Sequence, residues 1–311
     1  MTIPSPARRQ AAAVNGLLLL NKPAGLTSNQ ALQKVKRLLN AKKAGHTGSL
    51  DPAATGMLPL CFGEATKICA YLLAADKSYR VTARLGEATD TGDADGTVIE
   101  TAAVPDLSQQ DWERILASFT GEIAQVPPMY SALKKDGRRL YELARKGETV
   151  EREPRAIRVH EMHLLEAHGT RLVFRVRCSK GTYVRTLVED VARAAGTVAH
   201  TAALHRETVA DFRAVDMLDL PAVEQIAAAG PEALRERLMP TDQALQHWPQ
   251  QRIGGDSARR FAEGQPVRPE GGDAAAGSQV RVYDHRGGFL GVGELTGDGL
   301  LMPRRIFKVR G

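Results

Sequence analysis

The sequence is short of cysteine, has no long apolar run and carries no acid in its first fifty residues. The three cysteines in 311 residues, Cys61, Cys69 and Cys178, form no C-x-x-C pair. That excludes a disulfide framework and a cysteine-based zinc site, and it fits a reducing cytosol. No apolar stretch approaches the ~20 residues of a membrane span. The longest candidate, Ala11 to Leu20, is broken by Asn15 and Gly16. Arg8-Arg9 precedes it, but Lys22-Pro23 follows where a signal peptide would carry a small-residue cleavage site, so a cytoplasmic protein is expected. Cofactor signatures are missing as well. There is no Walker phosphate loop, Gly291-x-Gly293 lacks a third glycine, and there is no H-E-x-x-H. His160 and His163 stand close together without an evident third ligand. No nucleotide, redox cofactor or metal is expected.

The composition is that of an ordinary globular chain, 43% hydrophobic and 25% charged. A chain of this length buries roughly 75% of its unfolded surface and needs no covalent staple. The net charge of +6 is unevenly placed. Arg8, Arg9, Lys22, Lys34, Lys36, Arg37, Lys42 and Lys43 all precede the first acid, Asp51. A basic, foldable N-terminal stretch suits a polyanion partner.

Residues 1–14 read as a loose tail. Gly16 to Leu20 reads as a buried strand ended by a turn at Asn21–Gly25. Thr27 or Ser28 caps a helix with apolar residues at Leu32, Val35, Leu38 and Leu39. Glu64–Leu73, Asp111–Phe119, Tyr183–Ala195 and 222–247 read as helical. Tyr79–Leu85 and Leu172–Cys178 alternate as strands. Residues 124–158 hold nine cations with Tyr130 and Tyr141 interleaved, and read either as a projecting basic arm or as a solvated helical hairpin. After Trp248-Pro249 come short strands, notably 279–283 and 289–295, so a domain boundary is expected near residue 250. The expected fold is α+β: a mixed, largely antiparallel central sheet flanked by helices over 15–248, and a small β-rich domain over 250–311.

Asp90-Thr91-Gly92 spells an aspartic-protease triplet, but only one copy exists where two carboxylates must share a proton. The overlapping Thr91–Gly96 mimics a calcium loop whose first position is Thr and whose twelfth is Ala102, where a bidentate Glu is needed. A tight acidic turn is the simpler reading. What remains is Asp51, in the glycine-shaped loop Gly45-His46-Thr47-Gly48-Ser49-Leu50-Asp51-Pro52-Ala53-Ala54-Thr55-Gly56. Pro52 restricts Asp51 to extended conformations. A lone carboxylate there can start a turn, act as a nucleophile or act as a base. An electropositive setting would keep it ionised.

That loop resembles the catalytic motif of the tRNA pseudouridine-55 synthases. Further segments resemble the same family in the same order: Gly16–Gly25, Lys77-Ser78-Tyr79-Arg80-Val81, Thr89–Gly96, Pro128–Lys134 and Cys178–Arg185-Thr186. The similarity covers about residues 14 to 220. The C-terminal part resembles the small RNA-binding domain called PUA, with 271–277 as an inserted loop. The resemblance implies a cofactor-independent isomerase acting on the T-stem-loop of tRNA. No interface stripe stands out in the sequence, so a monomer with no obligate protein partner and no membrane association is expected. By the same resemblance Asp51 is the catalytic carboxylate, Arg185 pairs with it, and Tyr79 stacks on the target base and helps move a proton. Tyr183 and Leu204 line the uracil pocket, and His46 fills the space left by the flipped nucleotide. The 124–158 arm, the N-terminal helix and Lys67 grip phosphates. A non-catalytic RNA-binding protein on the same scaffold accounts for the charge equally well. A one-acid hydrolase would need Asp90, Asp93 or Asp95 as a second carboxylate.

Overall fold

The computed structural model describes residues 14–269, 271 and 274–307. Apart from Val14, the tail expected at 1–14 lies outside the described residues, as does part of the 271–277 loop. Val14 itself is buried in the core.

Four consecutive leucines form β1 (Gly16–Lys22), buried on both faces. Thr27 then caps α1 (Ser28–Leu38) in a reciprocal capping box with Gln30. Strands β2 (Ala44–His46) and β3 (Thr55–Phe62) flank the loop that carries Asp51. The segment expected as one helix at 64–73 is a 3₁₀ stretch (Gly63–Ile68) running into α2 (Cys69–Ala74). Strand β4 (Lys77–Leu85) alternates buried and open residues as its sequence predicts. A hairpin of β5 (Glu87–Thr89) and β6 (Val98–Thr101) encloses the acidic turn, followed by α3 (Gln109–Ser118) and β7 (Gly121–Gln125). A small hairpin of β8 (Lys134–Lys135) and β9 (Arg138–Arg139) leads into α4 (Leu140–Ala144). Then come β10 (Arg155–His168), β11 (Arg171–Cys178), α5 (Val184–Ala194), β12 (Ala199–Val209) and β13 (Leu218–Asp219). The region 222–247, expected as helical, is divided. It holds α6 (Leu220–Ala228), α7 (Pro231–Arg235) and a 3₁₀ turn (Thr241–Leu245), because Gly230-Pro231 and Pro240 interrupt it. The chain closes with β14 (Gln250–Arg252), α8 (Gly255–Ala262), β15 (Gln279–Tyr283), β16 (Phe289–Leu295) and β17 (Leu301–Ile306).

The central sheet runs β13-β1-β3-β12-β4-β11-β10-β7, with β2 added beside β3. The joins β13·β1 and β3·β12 are parallel and the others antiparallel, so the sheet is mixed and largely antiparallel, as expected. Helix α3 packs on β10 and helix α5 on β12 and β4, with Trp112, Leu116, Leu187 and Val191 in the shared core. Helices α1 and α6 cover β1 and β3 through Leu32, Val35 and Val223. The last four strands form a separate sheet, β14-β15-β16-β17. That sheet packs on the central one: Val292 and Phe307 share an apolar cluster with Leu17, Leu19 and Met57. Among the described residues no helix is long and apolar enough to cross a membrane.

The bounds 124–158 need correction. Gln125 ends β7, and Arg155 to Arg158 belong to β10, whose Ile157 and Val159 are buried. Only the stretch between these two strands leaves the sheet. It is held by buried Leu140 and Leu143 and presents Lys134, Lys135, Arg138 and Arg139 to solvent.

The parallel β3·β12 contact depends on a glycine. A Cβ on Gly56 would lie 2.2 Å from the carbonyl oxygen of Arg206, and the Gly56 φ is +102°. Both the overlap and the conformation oppose a side chain. Gly56→Ala should lower stability by about 3 kcal/mol. Denaturant unfolding measures it, and a loss below 1 kcal/mol would contradict the contact.

Candidate active site

Asp51 sits where β3, β12 and α5 converge, and its loop is pinned on both sides. The Ser28 hydroxyl accepts the Leu50 N–H at 2.8 Å, so the residue weighed as a cap instead fixes the position before Asp51. On the other side the ammonium of Lys22 donates to the carbonyls of Pro23 (2.8 Å), Leu26 (2.7 Å) and Pro52 (3.2 Å). Lys22 is fully buried, and burial pulls its pKa down to about 8, against the opposing pull of Asp51.

Arg185 stands in the first turn of α5, the electrically positive end of a helix, where a cation is disfavoured. Carboxylates and carbonyls offset that placement. Its Nε lies 3.2 Å from Asp51 Oδ2, and Nη1 lies 3.1 Å from Asp93 Oδ2. Nη1 also donates to the Thr91 carbonyl and Nη2 to the Tyr130 carbonyl, each at 2.7 Å. The Arg185 side chain is 9% exposed, while that of Asp51 is 47% exposed and faces the pocket. Asp93 Oδ1 accepts from the Thr91 hydroxyl at 2.6 Å and from the Asp95 N–H at 3.2 Å. The acidic turn is thus the second clamp on Arg185. Removal from water pushes the Asp51 carboxyl above its ordinary value. Arg185 and Lys22 pull it back, and Asp93 adds to the rise. The electropositive setting expected from the sequence is present, but desolvation outweighs it.

The pocket beside this ion pair is walled by Ala53, Ala54, Ala202 and Ala203, with Leu204 at its edge. Tyr79 lies below, 8% exposed, within the core cluster that contains Leu50 and Ala54. Burial raises the pKa of its phenol, against the pull of the Arg206 guanidinium. Tyr183 caps α5. The side-chain amide of buried Gln125 accepts the Tyr183 N–H at 2.8 Å and donates to the Tyr183 carbonyl at 3.1 Å. His46 lies on β2 with its buried Nδ1 unpartnered among the described residues, and burial and Arg206 lower its pKa.

The structure therefore brings Asp51, Arg185 and Leu204 to one pocket, with Tyr79 packed beneath it. It does not support Lys67 as a phosphate contact. The Lys67 ammonium is hydrogen-bonded to Glu64 (2.5 Å) and to the Ile306 carbonyl (2.6 Å), and lies 5.4 Å from the Phe307 ring centre. It ties the 3₁₀ stretch after β3 to the last strand of the C-terminal sheet. Sequence reading missed Lys22, Gln125 and Arg206 as site residues and left Asp93 unoriented. Charged and amide residues are presumed exposed, and only the Lys22-Pro23 pair at the end of an apolar strand hinted otherwise.

Residues 36–184 match the description TruB family pseudouridylate synthase (N terminal domain). Residues 185–246 match tRNA pseudouridylate synthase B C-terminal domain, and 249–307 match Pseudouridine synthase II TruB, C-terminal. The chain is similar to tRNA pseudouridine synthase B of Pseudomonas putida strain GB-1, 51% identical over 296 residues, covering 95% of this chain and 96% of that protein. It is 50% identical to the same-named protein of Pseudomonas aeruginosa strain UCBPP-PA14, covering 95% of this chain and 97% of that one. In fold it is similar to a chain of a Cbf5-Nop10-Gar1 complex, with TM-score 0.74 and 24% identity over 96% of this chain and 85% of that chain.

Proposed function

On the premise that this chain belongs to the TruB family of pseudouridine synthases, we propose that Asp51, held by Arg185, carries out the conversion of uridine 55 in the T-loop of tRNA to pseudouridine. The enzyme is an isomerase. The N1–C1′ bond of the nucleoside breaks, the uracil turns, and C5 bonds to the same C1′. The C5 hydrogen leaves as a proton and N1 gains one, so atoms and electrons balance without a redox partner.

The shared guanidinium is the observation that carries the assignment. Arg185 engages Asp51 through one oxygen, Oδ2, and leaves the half-exposed carboxylate turned toward the small pocket. That suits either attack on carbon or proton removal. The target base must leave its stack to reach Asp51, and Leu204 is the apolar lining available to it, with Tyr79 in the core cluster alongside and Tyr183 close enough to feel the Asp51 charge. His46, held neutral, suits the space vacated in the RNA. A hydrolase would need a free second acid; of Asp90, Asp93 and Asp95 only Asp93 lines the pocket beside Asp51, and both its oxygens are engaged. A binding-only protein has no use for an ionisable carboxylate facing RNA. The natural setting is the cytoplasm, with the protein acting as a monomer without a protein partner.

Incubation with an unmodified T-stem-loop RNA tests the site. Nucleoside analysis should show one uridine converted, and none when uridine 55 is replaced by cytidine. Conversion that persists in the cytidine RNA would overturn the position.

RNA binding should be salt-sensitive. Tyr141 lies 5.8 Å and 5.5 Å from the guanidinium carbons of Arg139 and Arg145, in a segment whose cations face solvent. Each single-strand phosphate neutralised should add about −0.7 to the slope of log K against log salt. A flat affinity would contradict the basic surface. Deletion of residues from 250 onward is a poor probe of the C-terminal sheet, because it would uncover Leu17, Leu19 and Met57.

A further inference from the structure

Arg206 is the largest fully buried side chain among the described residues, and none of their ion pairs includes it. Burying a guanidinium without a carboxylate is costly, and such a group persists where its hydrogen bonds are needed. Its Nε donates to the Met57 carbonyl at 2.7 Å and its Nη2 to the Gly48 carbonyl at 3.0 Å. Gly48 lies before Asp51 in the catalytic loop, and Met57 lies just past the loop's end. The main chain of Arg206 is pressed onto Gly56 so closely that only glycine fits. In the antiparallel β4·β12 pair Arg206 stands directly opposite Tyr79, so the two side chains share a sheet face. A register shift between Arg206 and Thr208 aims the strand locally, and neighbouring His205 bonds Thr55 Oγ1 at 2.8 Å instead. Gly48 lies against two basic side chains: a Cβ placed on it would stand 3.5 Å from Arg206 Nη1 and 3.4 Å from Lys77 Cε.

We propose that Arg206 is a positioning residue of the reaction, one guanidinium that fixes the Asp51 loop at both ends and sets the Tyr79 phenol against it. This rests on Asp51 and Tyr79 being the reacting pair. A planar guanidinium can hold two carbonyls and lie against a phenol at fixed angles, whereas an ammonium is a point charge that cannot span them. Burial of Tyr79 raises its pKa, and the Arg206 charge works against that rise without cancelling it.

Arg206→Lys and Arg206→Gln are made in the full chain, each alone and with Tyr79→Phe. Melting and tRNA affinity are measured beside the single-turnover rate at saturating tRNA. In a variant that melts cooperatively, the rate should fall about 100-fold, as expected for a displacement near 1 Å. The tRNA Kd should stay within about threefold, because the guanidinium lies beneath the pocket and the loss falls on the chemical step. Lys should retain more rate than Gln. Tyr79→Phe should add little to either variant, since residues acting as a unit are not additive. A parent-like rate, a loss confined to Kd, full additivity with Tyr79→Phe, or failure of both variants to fold would each overturn the proposal. The functional reading fails separately, through retained activity in Asp51→Asn.

Discussion

Asp51→Asn should abolish pseudouridine formation, with a single-turnover rate at least about 10⁴-fold below that of the parent protein. The amide keeps the shape and one acceptor oxygen but carries no charge and is a poor nucleophile or base. Folding and tRNA binding should persist, because Ser28 and Lys22 hold the loop through its backbone. The variant should also melt higher at neutral pH. The folded-state pKa of Asp51 is raised above 3.8, so ionising it costs more in the folded than in the unfolded chain. That cost is absent below the ordinary aspartate value, grows between it and the raised folded value, and is complete above the latter. The amide's advantage should therefore vanish on acidification to about pH 3.5. Unchanged chemistry in Asp51→Asn, or lost tRNA affinity, would contradict the role.

The second large effect is expected at Arg185. Arg185→Met removes the partner of two carboxylates and the donor to the Thr91 and Tyr130 carbonyls. Breaking such a buried network costs about 3–5 kcal/mol. The rate should fall about 100-fold or more through a misplaced Asp51. The combination with Asp51→Asn should be no slower than Asp51→Asn alone, because the two act as one unit. A multiplied loss would assign Arg185 an independent function. Arg185→Lys should rescue part of the stability and less of the rate, since an ammonium cannot reach Asp51, Asp93 and both carbonyls in one geometry.

Legibility in the sequence followed local pattern. Strand β1, the capped α1, β4 and α5 were readable because apolar spacing and a capping box act within a few residues. The start of strand β10 was lost inside the basic arm, because exposed Arg155 opens it and outward Arg158 stands between buried Ile157 and Val159. Strand β12 was hidden by two register shifts that break its period. At the site, Asp51 stood out through its glycine-rich loop, and the wider motif resemblance supplied Tyr79, Arg185, Tyr183, Leu204 and His46. Lys22 and Arg206 were illegible because their partners are backbone carbonyls, which residue type does not reveal, and those of Arg206 and one of those of Lys22 are distant in sequence. Lys67 was misread because its carbonyl partner, Ile306, lies on the last strand.

Tritium release from tRNA carrying uridine labelled at C5 tests the central claim most directly, since joining C5 to C1′ must expel that hydrogen. The parent protein should release one equivalent per tRNA and then stop, and Asp51→Asn should bind the same tRNA and release none. Binding by the parent without release, or release by a clean Asp51→Asn preparation, would contradict the assignment.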